Sequence, residues 1–247
     1  MSGAWVLSLD AVPAPPRALF GVAIGVTDVV ADPPIMQLHT GLLHRGDEPD
    51  ASVELLHLAF HALLVRSPLP DGDVHYVWVR MAVDEDRVEA VVALCRRIWE
   101  RKRENPEIRF GVIYEGGKFR DDGTLDLGGN AIGLTCATFV LAVLHGAGLD
   151  VVDFTGWPTR GDDVAWHDYI VRKLEEYRQR YPDRVTLDHI RGVRAERGCS
   201  RLRPEEVAAA CAQSPLPARF GITARPGREL RSGLAGGYIV GAILEPG

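Results

Sequence analysis

Four apolar, strand-like runs crowd into the first 81 residues, ahead of the first amphipathic helix. "FGVAIGVTDVV" (20–30) stops at the breaker "ADPP", and "IMQLHTGLLHR" (35–45) stops at "GDEPDAS". "VELLHLAFHALLV" (53–65) stops at "PLPDGD", and "VHYVWVRM" (74–81) follows. β-branched and aromatic residues bounded by Pro, Gly and Asp mark strands. The third run is ambiguous by periodicity alone, because its Leu and Ala content also suits a helix.

Helical signals dominate after residue 84. "DEDRVEAVVALCRRIWERKREN" (84–105) puts Val88, Val91, Val92, Cys95, Ile98 and Trp99 on one face, with acidic residues in its first turn. Cys95 on that stripe reads as a small core residue. "IRFGVIY" (108–114) reads as a strand, and "EGGKFRDDGTLDLGGN" is a polar, Gly-rich approach to the apolar helix that starts at Cys136. A helix over about 163–181 carries Trp166, Ile170, Leu174, Tyr177 and Tyr181 at three- and four-residue steps. "RPEEVAAACAQS" places Pro204 in the first turn, where helices tolerate it, and "GGYIVGAIL" (236–244) reads as a closing strand.

The expected fold is α+β, an antiparallel sheet packed by the 85–104 helix and the Cys136 helix. Residues 1–182 form the principal domain. Residues 183–247 form a C-terminal extension or small subdomain, or part of the same domain.

Bulk properties narrow the function. A chain of 247 residues, 46% hydrophobic and 25% charged, is an ordinary globular composition. A net charge of −6 offers no broad footprint for nucleic acid or anionic lipid. The apolar stretch around 131–152 is interrupted by Thr135, Thr138, His145 and Gly146, which suits a buried helix and not a membrane span. The first twenty residues lack the basic start and long apolar core of a secretion signal. Cys95, Cys136, Cys199 and Cys211 show neither CxxC pairing nor zinc spacing. A cytoplasmic, reduced protein is expected, with no metal or organic cofactor, no nucleic-acid partner and oligomeric state open.

Cys136 stands where chemistry would put a nucleophile. A thiol attacks as thiolate, and its pKa falls near a helix N-terminus or a histidine. The free amides at a helix start also suit an oxyanion. Phe139, Val140, Val143 and Leu144 would pin such a helix to the core, with Gly146 or Gly148 ending it. The competing reading of Cys136 is a packing residue.

A thiolate needs a base within reach, and that base needs an orienting group. The stretch "HTGLLHRGDEPDASVELLHLAFH" (39–61) offers both if it forms a hairpin, with His39 on one strand and His57 on the returning one. On a period of two, His57 and His61 would share a side with Leu55 and Ala59. The competing readings are a satisfied core histidine at His57 and a metal pair in "HLAFH". The metal pair lacks the Glu that a zinc protease places directly after its first His, since Leu58 stands there.

The segments "HTGLL", "RGD" and "LLHLA", followed about a hundred residues later by "TCATFVLAVLHG", resemble the histidine hairpin and cysteine helix of the lecithin–retinol acyltransferase superfamily. That superfamily belongs to the permuted branch of NlpC-type papain-like proteins, where histidine strands precede the cysteine helix. The resemblance covers roughly residues 18–155 and implies Cys136 as nucleophile, His39 as general base and His57 as orienting residue. It is also the reason to read 53–61 as a strand. The turn between the histidines is longer here, Thr135 replaces an amide-bearing residue before the cysteine, and the acyltransferases' membrane-anchoring tail is missing. The implied activity is a cysteine peptidase or amidase acting on a peptide or small amide. The alternatives are a non-catalytic papain-like binding module and a thiol acyltransferase or lipid hydrolase.

The remaining polar residues divide by context. His44 reads as a solvated turn residue, His75 as a strand-start surface residue and second candidate orienter, and His145 as a partner for its helix's last carbonyls. His167 and His189 have no evident companions. The run "RLRPEE" and the Arg-rich "RGVRAERGCSRLR" (191–203) read as solvated surface, with contact to a phosphate or an acidic partner as the alternative. "EGGKF" and "LGGN" lack the form of a nucleotide site. Asn130 could lend an amide to an oxyanion, while Asp153, Asp162 and Asp163 read as turn and cap residues. Specificity would lie in loops 115–130 and 155–165.

Overall fold

Strand β2 (Phe20–Val30) pairs with β3 (Ile35–Arg45), and β3 with β4 (Val53–Phe60), as the breaks between their sequences suggest. These strands belong to a six-stranded sheet in the order β1–β6–β2–β3–β4–β5, where β1 is Leu7–Ser8, β5 is Leu63–Pro68 and β6 is Tyr76–Arg80. Every pairing in it is antiparallel. The computed structural model describes residues 7–8, 20–30, 35–45, 52–68, 76–81, 83–102, 108–154, 156–213, 216–219, 223 and 228. The expected strand at 236–244 and His75 lie outside them.

The third run is a strand through Phe60, close to the expected 53–61, and its remainder opens a second strand, β5, that the sequence leaves unassigned. A turn at His61–Ala62 folds β5 back on β4, with Ala62 at φ +56°. No Gly, Asn or Pro announces it. The turn is held from outside, since the Ala62 N–H donates to the Ile108 carbonyl at 3.0 Å. His61 therefore leaves the face of His57 and sits in the turn.

Helix α1 (Glu85–Arg101) begins at the cap Asp84, whose carboxylate accepts the Arg87 N–H, and buries Val91, Val92, Leu94, Cys95 and Ile98. Helix α2 (Cys136–Gly146) is buried from Ala137 to Leu144 on every side. Gly148, at φ +78°, lets the Leu149 N–H return to the Leu144 carbonyl at 2.9 Å and end it. Helix α3 (Gly161–Arg180) lays Trp166, Ile170 and Leu174 inward, while Tyr181 just beyond it is exposed. A short helix that the sequence reading missed, α4 (Leu187–Ala195), follows from its cap Thr186. Helix α5 (Pro204–Cys211) carries Pro204 at its start as expected, and each of its residues is buried. Two small ladders complete the elements: β7 (Lys118–Phe119) with β8 (Leu125–Asp126), and β9 (Val152–Asp153) in parallel with β10 (Ala218–Arg219).

The run 108–114, expected as a strand, joins no sheet among the described residues and bends at Val112. Side chains take two of its N–H groups, Phe110 donating to His61 Nδ1 at 3.3 Å and Val112 to Glu196 Oε2 at 2.7 Å, while Gly111 between them donates to the Leu134 carbonyl at 3.4 Å. Hydrophobicity marks such a segment for burial without saying what will satisfy its backbone.

The apolar interior has two parts. The larger joins the sheet to α1, α2 and α5, so residues past 183 enter it through α5. The smaller joins α3 and α4 to Phe110 and Val112. Among the described residues no helix is long and apolar enough to cross a membrane.

Gly41 controls the spacing of β3 and β4. A Cβ there would lie 2.7 Å from His57 Cβ and 2.9 Å from the Leu56 carbonyl oxygen, so no side chain fits. Gly41→Ala is expected to cost about 1–3 kcal/mol of stability, the usual range for overpacking a closed interior, measured by chemical denaturation.

Candidate active site

The start of α2 is built by two threonines. Thr138 N–H donates to Thr135 Oγ1 at 3.1 Å, and Thr135 N–H donates to Thr138 Oγ1 at 2.7 Å. This reciprocal cap makes Cys136 the first residue of the helix, the position the sequence suggests. The lead-in is equally fixed. Leu134 exchanges backbone hydrogen bonds with Arg109 and Gly111 at 2.8 and 3.4 Å, and Gly133 passes so close that a Cβ on it would meet the Arg109 oxygen at 2.3 Å.

His39 and His57 meet on the sheet. Leu42 pairs with Leu56, and continuing that register sets His57 across from Gly41 with His39 diagonal to it on the same face. The missing side chain at Gly41 leaves room for both rings. His39 Nε2 lies 2.6 Å from His57 Nδ1, the rings edge to face at 4.7 Å between centroids. Both imidazoles are buried. Burial first, and the neighbouring His57 second, push His39 down to about 3.

Cys136 is half-buried and shares one cavity with His39, at the seam between the two parts of the interior. The cavity holds about 460 Å³. The backbone of Thr40, the residue after His39, lies close enough to the Cys136 sulfur to favour its thiolate. Burial raises the thiol's pKa. The Thr40 amide, the Arg201 charge and the amides of Ala137 and Cys136 oppose that rise, and its net direction is upward. The resting groups at the cavity are therefore a neutral Cys136 thiol and a neutral His39 imidazole. A larger hollow of about 780 Å³, between the β5 start and Arg109, contains none of the three residues.

Arg201 is the group that sequence reasoning missed. The stretch 191–203 reads as solvated surface, yet Arg201 is only 7% exposed and lies flat on Trp166 at 3.5 Å from the ring centroid. Trp166 in turn donates its indole N–H to Gln37 Oε1 at 3.1 Å, pinning α3 over β3 two residues before His39. The available signal was Arg-x-Arg ahead of a Pro-started helix with an acidic pair behind it. That pattern shows charges able to neutralise one another, but not which arginine is left over.

Other expectations are corrected. His44 is 1% exposed within β3, because the turn begins only after Arg45. His189 and His167 are buried with partners: His189 Nε2 lies 2.8 Å from the Phe110 carbonyl and His167 Nε2 lies 2.7 Å from that of Val193. The His61 and His189 rings stand 4.6 Å apart. His145 faces Asp150 at 3.6 Å. Asn130 is exposed and its backbone N–H binds Glu115, so it does not line the Cys136 cavity. Asp163 does cap its helix, accepting the Arg160 N–H at 2.8 Å, and it also pairs with Arg203.

Comparison of the chain with protein-family models, curated proteins and solved structures finds no match.

The buried histidines couple folding to pH. His39 is lowered to about 3 and His61 to about 4, while His44 and His189 are also lowered, each first by burial. An unfolded imidazole titrates near 6.5, so the unfolded chain binds more protons than the folded one below that pH. The stability from keeping these rings neutral is fully present above about pH 6.5 and falls as pH drops toward the folded values. Thermal melting between pH 7.5 and 4.5 is expected to show a steady fall in Tm.

Proposed function

We propose that the chain is a thiol hydrolase of permuted papain-like arrangement, cleaving an amide bond through Cys136, His39 and His57. The observation that carries this reading is the opening of a helix-start cysteine into a cavity shared with one member of a hydrogen-bonded histidine pair.

The depressed pKa of His39 and the raised pKa of Cys136 favour general-base attack over a resting thiolate–imidazolium pair. In the tautomer where His39 Nε2–H donates to His57 Nδ1, the His39 Nδ1 lone pair is free to accept a proton. The thiol proton passes to His39 as the sulfur bonds to the substrate carbonyl carbon. The carbonyl oxygen becomes an oxyanion opposite the amides of Cys136 and Ala137 and the Thr40 N–H. His39 then protonates the leaving amine as the carbon–nitrogen bond breaks, leaving a thioester. Water attacks the thioester, gives its proton to His39, and the acid departs as His39 returns a proton to the sulfur. His57 acts as a positioning residue, holding the His39 ring and tautomer.

A non-catalytic binding module is the second reading, favoured by the upward shift of the Cys136 thiol. Acylation by p-nitrophenyl acetate separates the two. Intact mass and peptide mapping are expected to find one hydroxylamine-labile acetyl group on Cys136. His39→Ala should slow its formation about 10²–10⁴-fold, the usual contribution of a general base. Acylation should persist well below pH 6.5, because His39 stays neutral there. Acetylation that spares Cys136, or that ignores loss of His39, would establish the module.

A further inference from the structure

Three arginines gather where α3 meets the start of α5, and only two of them find acids. Arg160 bonds Asp163 and Glu206. Arg203 bonds Asp162 at 2.5 Å and Asp163 at 2.8 Å. Arg201 sits between them in sequence and makes no side-chain hydrogen bond or ion pair among the described residues. Trp166 covers one face of its guanidinium, and the side chain lines the Cys136 cavity.

A guanidinium carries five N–H donors, and burying it without an acceptor is costly. Asp163 and Glu205 influence it electrostatically but do not bond it, and it keeps its charge with a pKa lowered by burial to about 10. Stacking on Trp166 fixes the plane of the fork and leaves its edge for a planar, bidentate acceptor. The rest of the lining agrees in sign. Lys173 and Arg180 stand with Glu176 in the wall, Glu176 is already paired to Lys173 at 2.9 Å, and no other acid among the described residues lines the cavity. Phe60, Phe110, Tyr169, Ile170 and Tyr177 supply an apolar, aromatic wall.

From this juxtaposition of a buried cation without a bonded acceptor, a stacking tryptophan and an aromatic chamber, we infer that the cavity binds a carboxylate-bearing ligand through Arg201. The buried Arg201 fork holds one carboxylate edge-on, and the aromatic wall receives the ligand's apolar body. Arg201 is close enough to Cys136 for each to shift the other's titration, so the carboxylate lies near the sulfur. Resting on the hydrolase reading, the substrate is then an amide whose scissile carbonyl stands a few bonds from a free carboxylate, with an aromatic or branched apolar group. N-acyl amino acids and the C-terminal residues of short peptides belong to this class.

The test uses the full chain carrying Cys136→Ala, so that binding is read without chemistry. Isothermal titration with N-benzoylglycine is compared with its neutral primary amide and with inorganic phosphate. The acid is expected to bind about tenfold to a hundredfold more tightly than the amide, the range of a hydrogen bond to a charged group. Arg201→Gln should erase that preference, and Arg201→Lys should retain part of it. Equal binding of acid and amide, no binding of either, or tighter binding of phosphate would overturn the assignment. The acid–amide comparison needs no change at Arg201 and survives a folding defect there. Selective carboxylate binding without acylation of Cys136 in the unaltered chain would remove the hydrolase and leave the anion site. Acylation without selectivity would do the reverse.

Discussion

Helix α2 is enclosed on every side from Ala137 to Leu144, and the rest of the structure is arranged to make that possible. A helix with no solvent face must be covered by a sheet and by other helices at once, and here β3, β4, α1 and α5 supply the cover. Close packing in such an interior leaves little freedom of rotation or slide. Its first residue is therefore held in place, and that residue is Cys136. The Thr135–Thr138 cap and the crossing at Gly133 add a second restraint from the backbone side.

The histidine pair depends on the same packing from the opposite direction. Gly41 removes a side chain where β3 faces β4, the His57 ring fills the space, and His39 closes against it at 2.6 Å. Burial, with His57 beside it, keeps the His39 imidazole from charging. A neutral base beside a neutral thiol suits a mechanism in which proton transfer accompanies attack, and it spares the fold an unpaired buried ion. Arg201 is a buried charge with no bonded acceptor among the described residues, and its side chain lines the cavity.

Much of this was legible along the chain. Strands β2 and β3 match their sequence runs residue for residue, and the cap at Thr135 follows from a small hydroxyl residue before an apolar helix. The β3–β4 hairpin was legible through the His39 and His57 patterns. What escaped had no local signal. The β4–β5 turn carries Ala62 where a Gly or Asn would announce it, and its restraint comes from Ile108, 46 positions away. The segment 108–114 has the composition of a strand, but its Phe110 and Val112 N–H groups are claimed by His61 and Glu196.

The sequence alone determined the elements that arise from short-range patterns: an antiparallel run of strands and an enclosed helix with a thiol at its head. Local hydrophobic periodicity and capping chemistry act within a few residues and need no knowledge of the rest. Only the tertiary structure decided that 191–203 is interior at Arg201, that Asp162, Asp163 and Glu206 neutralise Arg160 and Arg203, and that the third cation looks toward the sulfur. Charge pairing at such sequence distances is set by which helices meet. That meeting is chosen by the packing of apolar faces, and no single stretch of the chain encodes it.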